Sequence, residues 1–175
     1  MKTLSAIFNA PIIRRGTSNL DHIALLAKEA NAKGFLVVYT TKGNPSVIDL
    51  YGLTQGFFSL FGRIFILGVN INRHFRGNYT GNKLILKGES PGARKLFEFL
   101  KDYFTLTNQT VDSFNTNIEY NVIQIEDLAE ITAKKLAKYE KDETFEPSVM
   151  IISDEHRGVQ LLKMKIHHIW KSEQK

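Results

Sequence analysis

The chain has no cysteine among its 175 residues. That excludes disulfides, thiolate metal sites and a cysteine nucleophile, and it fits a reducing compartment. In such a compartment the sequons Asn78-Tyr79-Thr80 and Asn108-Gln109-Thr110 are incidental. No apolar run reaches the ~18 residues that would suggest a membrane span, and no low-complexity stretch suggests disorder. Residues 1–10 lack the charged start, long apolar run and small-residue cleavage site of a signal peptide, and they read as mature structure. With 43% hydrophobic and 23% charged residues the composition is that of a soluble globular protein. One domain over residues 1–175 suffices, since a chain of this length buries roughly 70% of its unfolded surface.

Catalytic signatures are missing as well. There is no G-x-x-x-x-G-K-[ST] loop: residues 88–95 hold glycines and cations at the wrong spacing, and Gly52, Gly56 and Gly62 do not make G-x-G-x-x-G. No G-x-S-x-G elbow is present, and Asp154-Glu155-His156 reads as a polar hairpin tip rather than an acid-base cluster. Among His22, His74, His156, His167 and His168 no two stand four apart, and the adjacent pair is expected on opposite faces of a strand. Neither a metal site nor a catalytic residue is expected.

What the chain does have is charge, unevenly placed. Its net charge is +5, made of +8 over residues 1–103, −5 over 104–147 and +2 over the remainder. A basic part beside an acidic one suits nucleic acid, although a solvated surface gives the same count.

The periodicity predicts an α/β chain. Residues 12–14 read as a short strand after an Asn9-Ala10-Pro11 turn, and a helix follows with Ser18 as cap and Asp21 in its first turn. That helix carries a stripe of Leu20, Ile23, Ala24, Ala27 and Ala30 and is closed by Gly34. Residues 35–40 are continuously apolar and β-branched, which predicts a strand buried on both faces, with 46–51 returning as its hairpin partner. Strands are predicted at 63–69 and 83–87, then a helix over 91–103 capped by Ser90 with Pro91 at its first position, and a loop over 104–116. The order strand, helix, strand, strand then recurs at 118–125, 125–139, 148–153 and 159–170, with a bulge near Leu161-Leu162.

Several basic loops suit phosphate, because glycine lets a polyanion approach backbone N–H groups while cations neutralise it. The strongest are Arg14-Arg15-Gly16 and the turn Lys42-Gly43-Asn44-Pro45, one helix and one strand apart. Residues 70–83, with Arg73, His74, Phe75, Arg76, Asn78 and Tyr79, mix cations and aromatics as RNA-binding loops do; a wide hairpin shielding the core accounts for them equally well. Arg94 and Lys95 fall in the first turn of the Ser90-capped helix, where a phosphate can bind or ordinary surface can lie. Lys163 and Lys165 alternate on a strand and either extend the basic face or protect an edge.

These residues resemble the Brix domain family of ribosome-assembly proteins, whose single-domain forms occur in archaea. The similarity rests on Ile12-Ile13-Arg14-Arg15-Gly16 with its helix, the strand from Phe35 and Lys42-Gly43-Asn44-Pro45-Ser46. Ser90-Pro91-Gly92-Ala93 and the final strand ending near Trp170 complete it. The resemblance implies two similar β-α-β-β halves with mixed sheets, about 1–103 and 104–175, similar to the anticodon-binding domains of class IIa aminoacyl-tRNA synthetases. It also implies a cytoplasmic, non-enzymatic, cofactor-free protein that binds ribosomal RNA or its precursor during rRNA processing and subunit assembly. On this reading Arg14, Arg15 and Lys42 neutralise phosphate, Gly16 and Gly43 admit the backbone, Asn44 hydrogen-bonds ribose or base, and Arg73, Arg76 and Tyr79 extend the surface. One departure is that residues 1–8 read as the end of a helix, so Met1 falls inside that helix without the family's preceding strand, which predicts an uncovered strand edge. Two other functions stay open: a module docking ribosomal or assembly proteins through the acidic 104–147 segment, and an enzyme acting on tRNA or a nucleotide.

Overall fold

The computed structural model describes residues 11–13, 16, 18–54, 57–72, 81–108, 120–129, 144–154 and 157–173. They form two helices, α1 (Leu20–Glu29) and α2 (Pro91–Thr107), and seven strands. The strands are β1 (Gly34–Thr41), β2 (Asn44–Thr54), β3 (Phe57–Ile71), β4 (Gly81–Leu86), β5 (Tyr120–Glu126), β6 (Ser148–Asp154) and β7 (Val159–Lys171). All seven join in one sheet of order β1-β2-β3-β7-β6-β5-β4. Every neighbouring pair is antiparallel except β4 with β5, so the sheet is mixed and the fold is α/β as expected.

The main core lies between one face of this sheet and α2, which packs on strands from β2 to β4. Leu96, Phe104, Ile123, Ile152, Leu162, Met164 and Ile166 are fully buried there. Because strand residues alternate, the buried Val37, Tyr51, Val122 and Val149 belong to the other face and fall outside that core. So do Ile23, Ala24 and Ala27, the buried stripe of α1, which packs on β1.

Several expectations are corrected. Ile12 and Ile13 are exposed and pair with no strand. Asn19, not Ser18, caps α1 by accepting from the His22 amide at 2.9 Å. The helix is closed not by Gly34 but by Ala30 as C-cap and Asn31 in the left-handed region at φ 55°. Gly34 begins β1 because a Cβ there would meet the Tyr51 carbonyl. β1 is not buried on both faces: it stands at the sheet edge, and Val37 is its one buried residue, since an edge strand has cover from a single neighbour. The helix expected to stop at 103 runs to Thr107, where Asn108 at φ 55° ends it, because Phe104 and Thr107 continue its buried stripe. Ile125 and Glu126 end β5 rather than begin a helix; the helix expected beyond 129 lies outside the described residues.

The bulge near Leu161 is there: Ile152 pairs with Leu162 and Ser153 with Gln160, which leaves Leu161 extra. Two further bulges lie between β3 and β7, neither predicted by the sequence, one of them leaving Leu67 extra on β3 between Ile66 and Gly68. At the other, Phe65 pairs with His168 and Ile66 with Ile166, so His167 is extra on β7.

Candidate nucleic-acid interface

Lys42, Gly43 and Asn44 stand together at the tip of the β1–β2 hairpin, all exposed. Lys42 at φ 51° and Gly43 at φ 81° are the two central residues of a type I′ turn, whose handedness matches the twist of the strands it joins. Thr41 pairs with Asn44 across it. Ser46 is the extra residue where the register shifts, and its hydroxyl donates to the Tyr39 carbonyl at 3.3 Å. The tip therefore presents a cation and a backbone with open space around it: a Cβ on Gly43 would meet nothing within 4 Å.

Gly16 lies three residues before the α1 cap, exposed, at φ 51° and likewise with open space around it. Arg14, Arg15, Arg73, Arg76 and Tyr79 lie outside the described residues. The structure thus joins Lys42, Gly43 and Asn44 by one turn and leaves Gly16 on a separate segment.

The start of α2 is not a phosphate site. Asp127 already accepts from the Glu89 and Ser90 amides at 2.9 Å each, and the Ser90 hydroxyl accepts from the Ala93 amide. The Ser90 side chain first, and then those two amides, hold the Asp127 carboxyl below the usual carboxylate range. Lys95 is bound to Glu146 at 2.5 Å. A carboxylate of the chain itself occupies the place an anion would take.

Lys163 and Lys165 do not protect an edge, because β7 is the central strand. Leu162, Met164 and Ile166 face α2, so both lysines stand on the opposite face, across from Asn70 and Gly68 of β3. Further along that face Phe65 pairs with His168, and their rings stack at 4.2 Å. Arg63, 5.9 Å from the Phe65 ring centre, pairs with Trp170 across the strands. Its guanidinium grips the fully buried Asp49 carboxylate with two hydrogen bonds, of 2.5 and 2.9 Å. The bond to Asp49 holds the Arg63 guanidinium above its ordinary pKa. Burial first, then the Asp49 charge, raises Tyr51, whose hydroxyl donates to Asp49 at 3.5 Å.

His167 and His168 do not point apart: their Nδ1 atoms are 2.6 Å from each other, because the bulge at His167 breaks the alternation. Arg63, Phe65 and Trp170 are not among the site residues that the basic loops point to, although the spacing by two in Arg63-Ile64-Phe65 and His168-Ile169-Trp170 carries the signal. Among the described residues no three His, Asp or Glu side chains gather as a metal site. Nor, among them, is any helix long and apolar enough to cross a membrane.

Neither a protein family nor a curated protein matches the sequence. The chain's structure is similar to that of a probable ribosomal biogenesis protein from Aeropyrum pernix K1, with a TM-score of 0.66. The chain has that protein's fold. The likeness covers 95% of this chain and 86% of the other at 19% identity. Sheet and helices therefore correspond almost end to end, while few side chains do.

Proposed function

We propose that the chain is a non-enzymatic, cytoplasmic RNA-binding protein of ribosome assembly, of the Brix type, acting on ribosomal RNA or its precursor. The observation that carries this reading is the likeness of fold, over 95% of the chain, to a probable ribosomal biogenesis protein. The exposed cationic turn at Lys42 supports it. The connection between α1 and β1, residues 30–33, is short, and α1 packs on β1. Arg14, Arg15 and Gly16 precede that helix in the chain, and on this proposal they and Lys42 contact one phosphate backbone.

Reversing Arg14, Arg15 and Lys42 to Glu is expected to weaken binding to ribosomal RNA strongly while leaving thermal unfolding almost unchanged. Each lost phosphate contact lowers the log-log salt slope by roughly 0.7 to 0.9. Titrations of parent and triple variant at several salt concentrations measure both. Parental affinity in the folded variant would move the interface elsewhere, and salt-sensitive binding to a basic ribosomal protein that survives the reversals would favour protein docking.

A further inference from the structure

We infer that the face of the sheet opposite α2, along β3 and β7, is a stacking platform for unpaired RNA bases, with phosphates running beside Lys163 and Lys165. The inference rests on the RNA-binding reading above and adds what kind of RNA is held and where.

Flat rings and cations line this band in register. Trp170 stands across from Arg63, His168 from Phe65, Lys165 from Gly68 and Lys163 from Asn70. The core residues Ile64, Ile66, Val69, Met164, Ile166 and Ile169 face α2, and the bulges at Leu67 and His167 restore the alternation between them, so the paired residues of the band all stand on the other face. Phe65 and His168 are already stacked, and Arg63 lies beside the Phe65 ring, so this column is ordered before any ligand arrives. Asp49, which pairs with Arg63 across β2 and β3, anchors it from the side. Trp170 is different. It is 48% exposed and makes no ring contact among the described residues, so its indole stands at the end of an ordered column.

The charge of the band fits a polyanion. Lys163 and Lys165 form no ion pair among the described residues, and Asp49, the carboxylate beside the band, is committed to Arg63. From Lys163 to Trp170 the strand spans roughly 20 Å, enough for several nucleotides of an extended strand. A duplex offers this surface only its phosphates, because its bases are stacked and paired inside. An unpaired strand offers both phosphate and ring, the combination that aromatic sheet surfaces use to hold single-stranded RNA. Gly68, beside Lys165, leaves the sheet surface low there: a Cβ on it would meet nothing within 4 Å.

Trp170 is the chain's one tryptophan, so its fluorescence reports on this face directly. Titrating the full chain with single-stranded oligouridine of about ten nucleotides is expected to quench that emission, and a duplex RNA of equal length to leave it nearly unchanged. With labelled oligouridine, Trp170→Leu is expected to lose about tenfold to a hundredfold in affinity at an unchanged salt slope. Trp170→Phe should retain most binding, which separates stacking from a loss of fold. Lys163→Gln with Lys165→Gln should instead flatten the salt slope by roughly 1.4. Unchanged emission at saturating oligouridine, or parental affinity in Trp170→Leu, would overturn the platform while leaving the hairpin interface standing. Failure of the parent to bind any RNA would sink the functional reading itself.

Discussion

Asp127 has one job, to bind the Glu89 and Ser90 amides ahead of α2, and it works only as a carboxylate. Its pKa is lowered in the folded chain, so its contribution to stability is present above the unfolded value of about 4 and is lost as pH falls through the lower folded value. Asp127→Asn is therefore expected to lower the unfolding temperature at neutral pH, and the gap from the parent should close as the solution is acidified below pH of about 4. Thermal unfolding across that range checks it; a gap independent of pH would mean that the carboxylate's charge is irrelevant. Tyr103 shows the opposite case. Burial alone pushes its hydroxyl up, and it donates to the Tyr51 carbonyl at 3.3 Å, tying α2 to β2.

Elements meet closely where glycine allows. Gly62 of β3 lies under α2, and a Cβ there would overlap the Phe99 ring and the Trp170 carbonyl oxygen. Gly62→Ala is expected to cost about 1–3 kcal/mol, the usual penalty for crowding a packed core. Gly68→Ala in the same strand, with open space around its Cβ, should be neutral or stabilising by up to about 1 kcal/mol, since it stiffens the unfolded chain. Urea unfolding of both variants tests the contrast; equal effects would place the cost in strand glycines generally. The hairpin at Lys42 is legible in the sequence as a glycine turn between apolar runs, but not its type: the turn is Lys42-Gly43 alone, and Asn44 and Pro45, expected in the turn, already belong to β2. The bulge at His167 was not legible, because nothing in His167-His168 distinguishes a bulged residue from a paired one until β3 lies alongside.

At the scale of the whole molecule, β3 and β7 decide the architecture. They pair over Gly62 to Ile71 and so sew the first three strands to the other four in a single sheet. We expect one cooperative unfolding transition. Ile166 is fully buried at that seam, and Ile166→Ala should lower stability by about 2–5 kcal/mol. Far-UV dichroism and Trp170 fluorescence should shift together. Separate midpoints for the two signals would instead mark two independently folding halves.

The sequence by itself determined the α/β class, the strand–turn–strand at Lys42, the Pro91 start of α2 and the Leu161 bulge, because each depends on residues within a turn or two of one another. Only the tertiary structure decided that β1 is an edge and β7 a centre, since strand order is a relation between segments that periodicity does not carry. The same holds for the sites. Exposure of Lys42 and Gly43 follows from a two-residue turn, whereas the occupied start of α2 depends on Asp127, 37 residues beyond Ser90. The column of Arg63, Phe65 and His168 beside Trp170 exists because two strands far apart in sequence lie side by side.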